Sequence, residues 1–312
     1  MQASGMHLFA RLRFRHLQLV DEVERTGSLS RAAKGLNLTQ PALSKALKEM
    51  EDMLGFAIFH RGRHGLEKTP QGTIVVRGAS LLLRELLHVR AEAEAAGAEG
   101  NLAGVLRLGT TGFLAVSLMP PVISLMTNLA PPIIVWLRED NISNLFAMFL
   151  AGELDALVTL YNSEVMALTV GREVQFEKLT EERYVVIAPL GHRLAKDRAV
   201  SWQTLSEARW VFTRKPSLSS VIVYDSFRRH GVNPPMPVCE TDGPVTAAKL
   251  VASGVGLGVV PESTAHDYLR GNSVCLIKLQ VPLPSATLGI VYRAASAELP
   301  KIVSLRKTLK DR

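Results

Sequence analysis

The chain has 312 residues, of which 47% are hydrophobic and 21% are charged, and it carries a net charge of +7. This length predicts two or three units of ordinary domain size, and the hydrophobic content excludes an intrinsically disordered chain. The basic balance permits a polyanionic partner, and residues 1–70 hold 11 Lys and Arg against 7 Asp and Glu, so +4 of the net charge lies in under a quarter of the chain.

The sequence lacks the signals of export, disulfide bonding and membrane insertion. Its two cysteines, Cys239 and Cys275, form no C-x-x-C pair, which favours a reducing compartment. The first residues contain no long apolar run before a cleavage site, so we expect a cytoplasmic protein. Residues 114–137 carry no charge, but two double prolines would break the backbone bonding of a lipid-exposed helix. We therefore predict a buried helix over 114–129 followed by a buried strand.

The stretch SLSRAAKGLNLTQPALSKALKEMEDML, residues 28–54, predicts two short helices joined by a tight turn. Ser28 is placed to cap the first helix and Thr39 the second, because a side-chain oxygen there accepts a hydrogen bond from an unpaired backbone N–H. Pro41 lies in the first turn of the second helix, where its missing N–H costs little. A preceding helix over residues 13–26 would supply the third wall of a small core.

The second of these helices has one apolar and one polar face. Apolar residues at steps of 4, 3 and 4 assign the first face to the core, namely Leu43, Leu47, Met50 and Leu54. The face left exposed near the helix start holds Gln40, Ser44, Lys45 and Lys48. Small, hydrogen-bonding and cationic residues in that position suit insertion into the DNA major groove. An ordinary solvated helix hairpin is the alternative, because such spacings recur by chance.

A small basic hairpin is predicted after the second helix. Gly55 stops the helix, and the run from Arg61 to Gly65 is typical of a tight turn between two short strands. A winged helix-turn-helix has this layout, in which Arg61 and Arg63 can lie against phosphates. A merely solvated turn is the alternative.

A long helix is predicted to begin at Thr69 and Pro70. Apolar residues then alternate steps of 4 and 3 through three heptads, at Val75, Ala79, Leu82, Leu86, Val89, Ala93 and Ala96. That pattern indicates a coiled-coil seam, which needs a partner helix. A helix packed only on its own domain is the alternative, but the position between two otherwise complete units favours a dimerising linker. Glycines at 97, 100 and 104 then mark a join.

From residue 105 onward the pattern of predicted strands and helices alternates, which predicts parallel α/β sheets. In such folds ligands bind beyond the carboxyl ends of strands, beside helix N-termini. The residues that fall at these places, most of them with hydroxyl or charged side chains, are Thr110, Thr111, Gly112, Thr159, Tyr161, Thr213, Arg214, Lys215, Pro216, Ser217, Ser219, Ser220, Asp242 and Gly243. Helix capping is the commoner role for any one of them, so only their convergence supports a pocket.

Catalytic and metal-binding signals are absent from the sequence. It contains no G-x-S-x-G, H-E-x-x-H, P-loop or kinase-like set, so we predict that the protein is not an enzyme. His60 and His64 stand four apart, but the neighbouring glycines argue against a helix and no other ligands complete a site. We therefore predict no metal and no cofactor other than a small-molecule effector.

The run GSLSRAAKGLNLTQPALSKALKEMEDMLGFAIFHRGRHGLEKTPQG closely resembles the N-terminal signature of LysR-type transcriptional regulators, and SGVGLGVVP resembles a recurrent segment of that family. The resemblance implies an α/β fold in which an N-terminal winged helix-turn-helix and a long linker helix precede a periplasmic-binding-protein-like (type 2) effector domain of two subdomains. The implied bounds are 1–69 for the DNA-binding domain, 70–101 for the linker and 102–312 for the effector domain. Subdomain I would comprise 102–161 with 270–312, and subdomain II would comprise 162–269.

The resemblance also implies the site residues. Those expected at or near DNA are Ser28, Arg31, Ala32, Thr39, Gln40, Pro41, Ser44, Lys45 and Lys48, with Arg61 and Arg63 on the wing. Thr111, Thr159 and Thr213 resemble positions that line the effector cleft of the family, where Phe113 disfavours a sugar-like or sulfate-like ligand and favours an organic acid. Family members commonly form homotetramers from dimers and contact RNA polymerase.

We therefore expect an effector-responsive transcription factor that binds double-stranded DNA. A solute-binding receptor in which residues 102–312 do the work is the second reading, although the absence of an export signal and the presence of residues 13–96 count against it. An enzyme is the third, and it would need a catalytic constellation that the sequence does not contain.

Overall fold

The structure is a computed structural model that describes residues 11–62, 65–97, 104–130, 132–161, 174–215 and 217–311. The chain divides into two compact units, Met1–Gly104 with Ala147–Leu154, and Val105–Phe146 with Asp155–Arg312. Among the residues described, no helix is long and apolar enough to cross a bilayer.

The first unit contains a helical bundle, a two-stranded hairpin and a long helix. Its elements are α1 (Phe14–Thr26), α2 (Leu29–Gly35), α3 (Gln40–Leu54), β1 (Phe59–Gly62), β2 (Gly65–Lys68) and α4 (Pro70–Gly97). The hairpin is antiparallel, with Phe59 opposite Lys68 and Gly62 opposite Gly65. These elements follow the predicted order of a winged helix-turn-helix and a linker helix.

Local capping explains where the short helices begin and end. The Ser28 hydroxyl accepts from the backbone N–H of Arg31 at 3.5 Å, and the Thr39 hydroxyl accepts from that of Ala42 at 3.4 Å. Gly55 ends α3 with φ of 79°, a left-handed conformation that costs glycine little. The predicted caps of both helices are confirmed.

Apolar faces of α1, α2, α3 and β1 meet in one core, in which Val20, Leu43, Met50 and Ile58 are almost fully buried. The carboxylate of Glu51 ties α3 to the hairpin, because it accepts from the backbone N–H groups of Ile58 (2.7 Å) and Phe59 (3.2 Å). Glu51 therefore holds the start of β1 against the C-terminal half of α3.

The linker helix α4 divides its predicted seam between two environments. Near its start, Ala79 of the seam is buried in the helix-turn-helix core, and Val75 of the seam packs against that core. Farther along, Leu82, Leu86 and Val89 are 53%, 49% and 54% exposed. The prediction of a single apolar stripe facing a partner helix is therefore wrong for the first turns, which pack on their own domain.

The second unit contains mixed sheets covered by helices. The strands are β3 (Val105–Thr110), β4 (Ile134–Glu139), β5 (Ala156–Leu160), β6 (Val174–Glu182), β7 (Tyr184–Pro189), β8 (Val211–Thr213), β9 (Cys239–Thr241), β10 (Gly258–Pro261), β11 (Val274–Ile277) and β12 (Ala286–Arg293). A five-stranded sheet has the order β4-β3-β5-β12-β6, a three-stranded sheet has the order β10-β7-β11, and β8 pairs with β9. The helices are α5 (Gly112–Ser117), α6 (Met119–Thr127), α7 (Ile142–Leu150), α8 (Trp202–Ser206), α9 (Leu218–Arg229), α10 (Pro244–Ala252), α11 (Glu262–Arg270) and α12 (Pro300–Lys310).

The prediction of parallel sheets is only partly correct. The pairs β3–β4, β3–β5 and β8–β9 are parallel, whereas β12 runs antiparallel to β5 and β6, and β7 runs antiparallel to β10 and β11. The direction of pairing depends on how distant segments return to a sheet, which a local alternation of strands and helices does not encode.

The predicted subdomain boundaries also differ from the sheets. The sequence pattern does not predict the strand β6. This strand belongs to the five-stranded sheet although it lies within the range predicted for subdomain II. Conversely, β11 pairs with β7 although it lies within the range predicted for subdomain I. The chain therefore crosses between the sheets near residue 183 and again between 277 and 286, rather than at 161 and 270.

The uncharged segment after β3 is interrupted rather than continuous. Two helices, α5 and α6, replace the single predicted one, and Pro120 lies in the first turn of the second, where proline is tolerated. The strand that follows is not buried as predicted. It forms the edge of the five-stranded sheet, and its Ile134 and Trp136 are 39% and 59% exposed.

Candidate functional site

Two surfaces carry the residues that the sequence singles out. The first, the helix-turn-helix face, is formed by α2, the start of α3 and the wing. On it Gln40, Pro41, Lys45 and Lys48 are exposed, and Ser44 is partly exposed. The opposite side of α3 is buried through Leu43, Leu47 and Met50. The amphipathic spacing therefore presents these polar residues outward.

The remaining predicted DNA contacts have different environments. Arg31 and Arg61 are exposed, while Ser28 and Thr39 use their hydroxyls to cap α2 and α3. The prediction for Ala32 needs correction, since its side chain is 0% exposed and packs in the core, so it has no surface to offer DNA. Arg63 lies outside the residues that the structure describes.

The charged side chains of the first unit differ in whether they have ion-pair partners. Carboxylates of α1 are paired, because Glu22 bonds Arg25 at 2.8 Å and Glu24 bonds Lys68. The hydrogen bond from Arg25 lowers the pKa of the Glu22 carboxyl. Within the described ranges, no carboxylate forms an ion pair with any cation of the helix-turn-helix face, namely Arg31, Lys45, Lys48 and Arg61. These cations remain available for phosphates.

The second surface is a cavity of about 830 Å³ in the second unit. It lies beyond the carboxyl ends of β3, β4, β8 and β9, where the following helices α5, α7, α9 and α10 begin. Its lining residues are Thr111, Gly112, Phe113, Val116, Glu139, Asp140, Asn141, Ile142, Thr159, Leu160, Tyr184, Arg214, Lys215, Ser217, Leu218, Ser219, Asp242, Gly243, Pro244, Val245, Thr246 and Pro261. The first turn of a helix carries unpaired backbone N–H groups and partial positive charge, so such a cavity favours anionic groups.

Most of the predicted pocket residues converge on this cavity. Those that line it are Thr111, Gly112, Phe113, Thr159, Arg214, Lys215, Ser217, Ser219, Asp242 and Gly243. The Thr111 hydroxyl oxygen is buried there without a hydrogen-bond partner. A buried hydroxyl that lacks a partner costs free energy, which a turn of the side chain toward a ligand polar group in the cavity would recover.

Three predicted pocket residues instead serve the fold. Thr110 is fully buried and donates to the carbonyl of Val158 at 2.9 Å. Thr213 is 3% exposed, and its hydroxyl lies 2.5 Å from that of Ser217, the cap of α9. Tyr161 packs against Phe176, with ring centroids 4.5 Å apart and the ring planes tilted by 46°. They do not line the cavity, and neither does Ser220, which is 0% exposed. Pro216 lies outside the described residues.

Several lining residues were missed in the sequence. Glu139, Asp140 and Asn141 lie at the end of β4 and directly after it, so the rule that ligands bind beyond strand carboxyl ends could have found them. Tyr184 opens β7 and reaches the cavity only because the chain crosses from one sheet to another. Burial raises the pKa of the Tyr184 phenol, and the negative charge of nearby Glu182 raises it further. Tyr184 therefore remains a neutral hydrogen-bond donor.

The electrostatics of the β4–α7 turn depend on one carboxylate. Asp140 accepts from the side-chain amide of Asn144 (2.9 Å) and from the backbone N–H of Asn141 (2.8 Å). These hydrogen bonds lower the pKa of Asp140, which stays ionised and holds the start of α7. Its charge is therefore largely engaged by the protein itself.

Family models match both units. A model described as the LysR substrate binding domain matches residues 99–312, and one described as a bacterial regulatory helix-turn-helix protein of the lysR family matches residues 14–73. Among curated proteins, the HTH-type transcriptional regulator GbpR of Azospirillum brasilense is 28% identical over 288 residues, which cover 91% of this chain and 82% of that protein.

Solved structures share the fold. A full-length OxyR variant from Pseudomonas aeruginosa matches with a TM-score of 0.65 at 23% identity, covering 96% of this chain and 95% of that one. Full-length CbnR in complex with its target DNA matches with a TM-score of 0.60 at 17% identity, covering 96% and 99% of the two chains.

Proposed function

We propose that a small organic acid bound in the cavity of this protein controls its binding to a palindromic DNA site. The premise is that the chain belongs to the LysR family of DNA-binding transcriptional regulators and is not an enzyme. The observation that carries the DNA half of the proposal is the helix-turn-helix face, whose cations lack carboxylate partners among the described residues. The cavity at four helix N-termini carries the effector half.

In this proposal the start of α3 enters the major groove. Gln40, Ser44 and Lys45 would meet base edges, and Lys48, Arg31 and Arg61 would meet phosphates. CbnR, which shares the fold, has been solved with its target DNA, and this supports DNA binding by the present chain. The protein would act in the cytoplasm, where its DNA target lies.

Pairing through α4 would supply the second recognition helix. The exposed apolar residues Leu82, Leu86 and Val89 support this, because a heptad stripe half open to water gains by burial against a second copy. Two such helices would enter successive major grooves about 34 Å apart. Further pairing to a homotetramer and contact with RNA polymerase complete the proposal, as the family resemblance implies.

The organic acid is supported by the mixed character of the cavity. Lys215 and the first turns of α9 and α10 offer positive charge to a carboxylate. Phe113 and Val116 offer apolar surface to its hydrocarbon part. No other cofactor or metal enters this proposal.

A salt titration tests the DNA half. Duplexes selected from random sequence should bind with an affinity that falls steeply as salt rises, because several phosphate contacts release counterions. Lys45→Ala combined with Ser44→Ala should lower discrimination against unselected DNA about tenfold or more. Lys249→Ala, at an exposed lysine on α10, is the control and should change neither. A flat salt response, or unchanged discrimination in the double variant, would overturn the assignment.

A thermal-shift screen of organic acids tests the effector half. A compound that raises the melting temperature of the full chain should do so less in Thr111→Val, which loses the unpartnered hydroxyl but keeps the side-chain shape. Ser30→Ala, at an exposed position on α2, should leave the shift unchanged. A shift of equal size in all three proteins would remove Thr111 from the site.

A further inference from the structure

Charged side chains of both signs line the cavity, and their pairing is unequal. Glu139 and Asp140 come from the end of β4, whereas Arg214, Lys215 and Asp242 come from the ends of β8 and β9. The first pair belongs to the five-stranded sheet and the other three to the two-stranded sheet, so the two sides of the cavity carry different charge.

Some of these charged groups already have hydrogen-bond or ion-pair partners within the protein. Asp140 accepts hydrogen bonds from the amides of Asn141 and Asn144. Arg214 lies 3.7 Å from the carboxylate of Asp242. Neither of these groups needs a ligand to balance it.

Two charges are left over, one on each side. No cation pairs with the Glu139 carboxylate among the residues that the structure describes. Its Oε2 lies 3.6 Å from where a Cβ on Gly112 would stand, so the carboxylate faces the turn that also holds the unpartnered Thr111 hydroxyl. Across the cavity, Lys215 places its ammonium 4.8 Å from the centroid of the Tyr224 ring, which carries no opposing charge.

The start of α9 reinforces the positive side. Ser217 caps this twelve-residue helix by accepting from the backbone N–H of Ser220 at 3.2 Å. The first-turn N–H groups of Leu218 and Ser219 have no partner within a helix, and both residues line the cavity. An anionic group beside Lys215 would therefore meet both a full charge and a helix N-terminus.

We propose that the effector is a zwitterion with a primary ammonium and a carboxylate, as in an α-amino acid, a refinement that rests on the proposed function. The carboxylate lies at Lys215 and the first turn of α9. The ammonium donates to the Glu139 carboxylate, and Phe113 and Val116 contact the side chain. A simple dicarboxylate is disfavoured, because its second anion would face Glu139 without a cation to balance it.

Matched triplets of compounds test this on the full chain. Each triplet contains an amino acid, the acid that lacks its amine and the amine that lacks its carboxylate, for example phenylalanine, 3-phenylpropionate and 2-phenylethylamine. The triplets span the side chains of the common amino acids, and affinities come from calorimetry. One amino acid should bind about tenfold or more tightly than the acid and the amine of its triplet. The acid leaves Glu139 without a cation, and the amine leaves Lys215 without an anion.

Variants assign the two ends. Glu139→Gln should remove the preference for the amino acid over its deaminated acid while the acid binds as before. Lys215→Met should weaken the amino acid and the acid alike and leave the amine unaffected. Glu207→Gln, an exposed carboxylate outside the cavity, is the matched control and should change none of the affinities.

Other outcomes overturn the proposal. A deaminated acid that binds as tightly as its amino acid removes the ammonium subsite but leaves an organic-acid effector in place. Absence of binding by every triplet rejects the zwitterion class. Binding to selected DNA without any compound is measured in parallel, so a failure of the regulator function is distinguished from a failure of the effector class.

Discussion

The helix-turn-helix face and the cavity are built in opposite ways. The face uses residues 28–61, a short continuous run in which each helix has its own cap and its own apolar stripe. The cavity draws on segments from Thr111 to Pro261, which meet because strands from distant parts of the chain share sheets. A surface formed from one run can be recognised locally, whereas a cavity depends on how the whole unit is assembled. Changes that damage one unit should therefore leave the chemistry of the other measurable.

The largest effect is expected from Gly72→Ala in the first unit. A Cβ at Gly72 would lie 1.9 Å from the carbonyl oxygen of Ile58, so α4 could not keep its place against β1. We expect a loss of unfolding free energy above about 4 kcal/mol for this unit and loss of DNA binding. Circular dichroism melts and DNA titration measure the two.

The control for that change lies farther along the same helix. A Cβ added at Gly78 would meet no atom of the described residues within 4 Å, so Gly78→Ala should stabilise α4 by up to about 1 kcal/mol through helix propensity. Equal effects of the two substitutions would show that close approach at Gly72 does not hold the domain together.

The corresponding destabilising substitution in the second unit is Asp155→Ala. This buried carboxylate accepts from the backbone N–H of Arg107 at 2.8 Å and lies 3.3 Å from the ammonium of Lys301. Its removal leaves buried cations without their shared anion, which costs about 3 kcal/mol or more. Chemical denaturation should show the loss, while DNA binding by the first unit persists.

Asp267→Ala is the matched control, because Asp267 pairs with Arg270 at the surface. Exposed pairs contribute about 0–1 kcal/mol, so little change is expected. If Asp155→Ala abolished DNA binding as fully as Gly72→Ala, the two units would not be separable in the way proposed.

Helix caps offer an intermediate comparison between the units. Thr39→Ala removes the cap of α3 and Ser201→Ala that of α8, where the Ser201 hydroxyl accepts from the backbone N–H of Thr204 at 3.2 Å. Each should cost about 1 kcal/mol by denaturation. Only the first should also weaken DNA binding, because it loosens the start of the proposed recognition helix. Equal DNA affinity in both variants would contradict that role.

The smallest effect concerns pH. Burial lowers the pKa of His16 below 6.5, and Arg15 and Arg13 lower it further, although Glu49 opposes them. The unfolded chain therefore binds a proton at His16 before the folded one does, and stability falls as pH drops below 6.5 toward the folded pKa. His16→Gln should therefore reduce the fall in stability of the first unit as pH drops below 6.5, and denaturation at a series of pH values measures this.

The unaltered protein, denatured at the same pH values, provides the reference for this measurement. A slope that is equally steep in His16→Gln and in the unaltered protein would assign the pH dependence to other groups.

Local chemistry made the first unit predictable. The caps at Ser28 and Thr39, the proline in the first turn of α3 and the apolar steps of 4, 3 and 4 each depend on a few neighbouring residues. Ala32 is the exception, because resemblance placed it near DNA while its apolar side chain follows the core face. Here the hydrophobic pattern was the better guide.

The cavity was predictable only in outline. Polar residues after strands were recognised, but Thr110, Thr213 and Tyr161 could not be distinguished from Thr111, Thr159 and Ser217. The difference lies in which way each side chain points once the strands are paired, and pairing partners such as β5 and β12 are more than a hundred residues apart. For the same reason Tyr184 was missed.

By itself, the sequence determined the winged helix-turn-helix, the linker helix and an α/β unit with its candidate ligand positions, because caps, turns and hydrophobic periodicity are encoded within a few residues. Only the tertiary structure decided the antiparallel return of β12, the crossings between sheets and the charges that meet across the cavity. Those features depend on contacts between distant segments, where burial and pairing outweigh local preference.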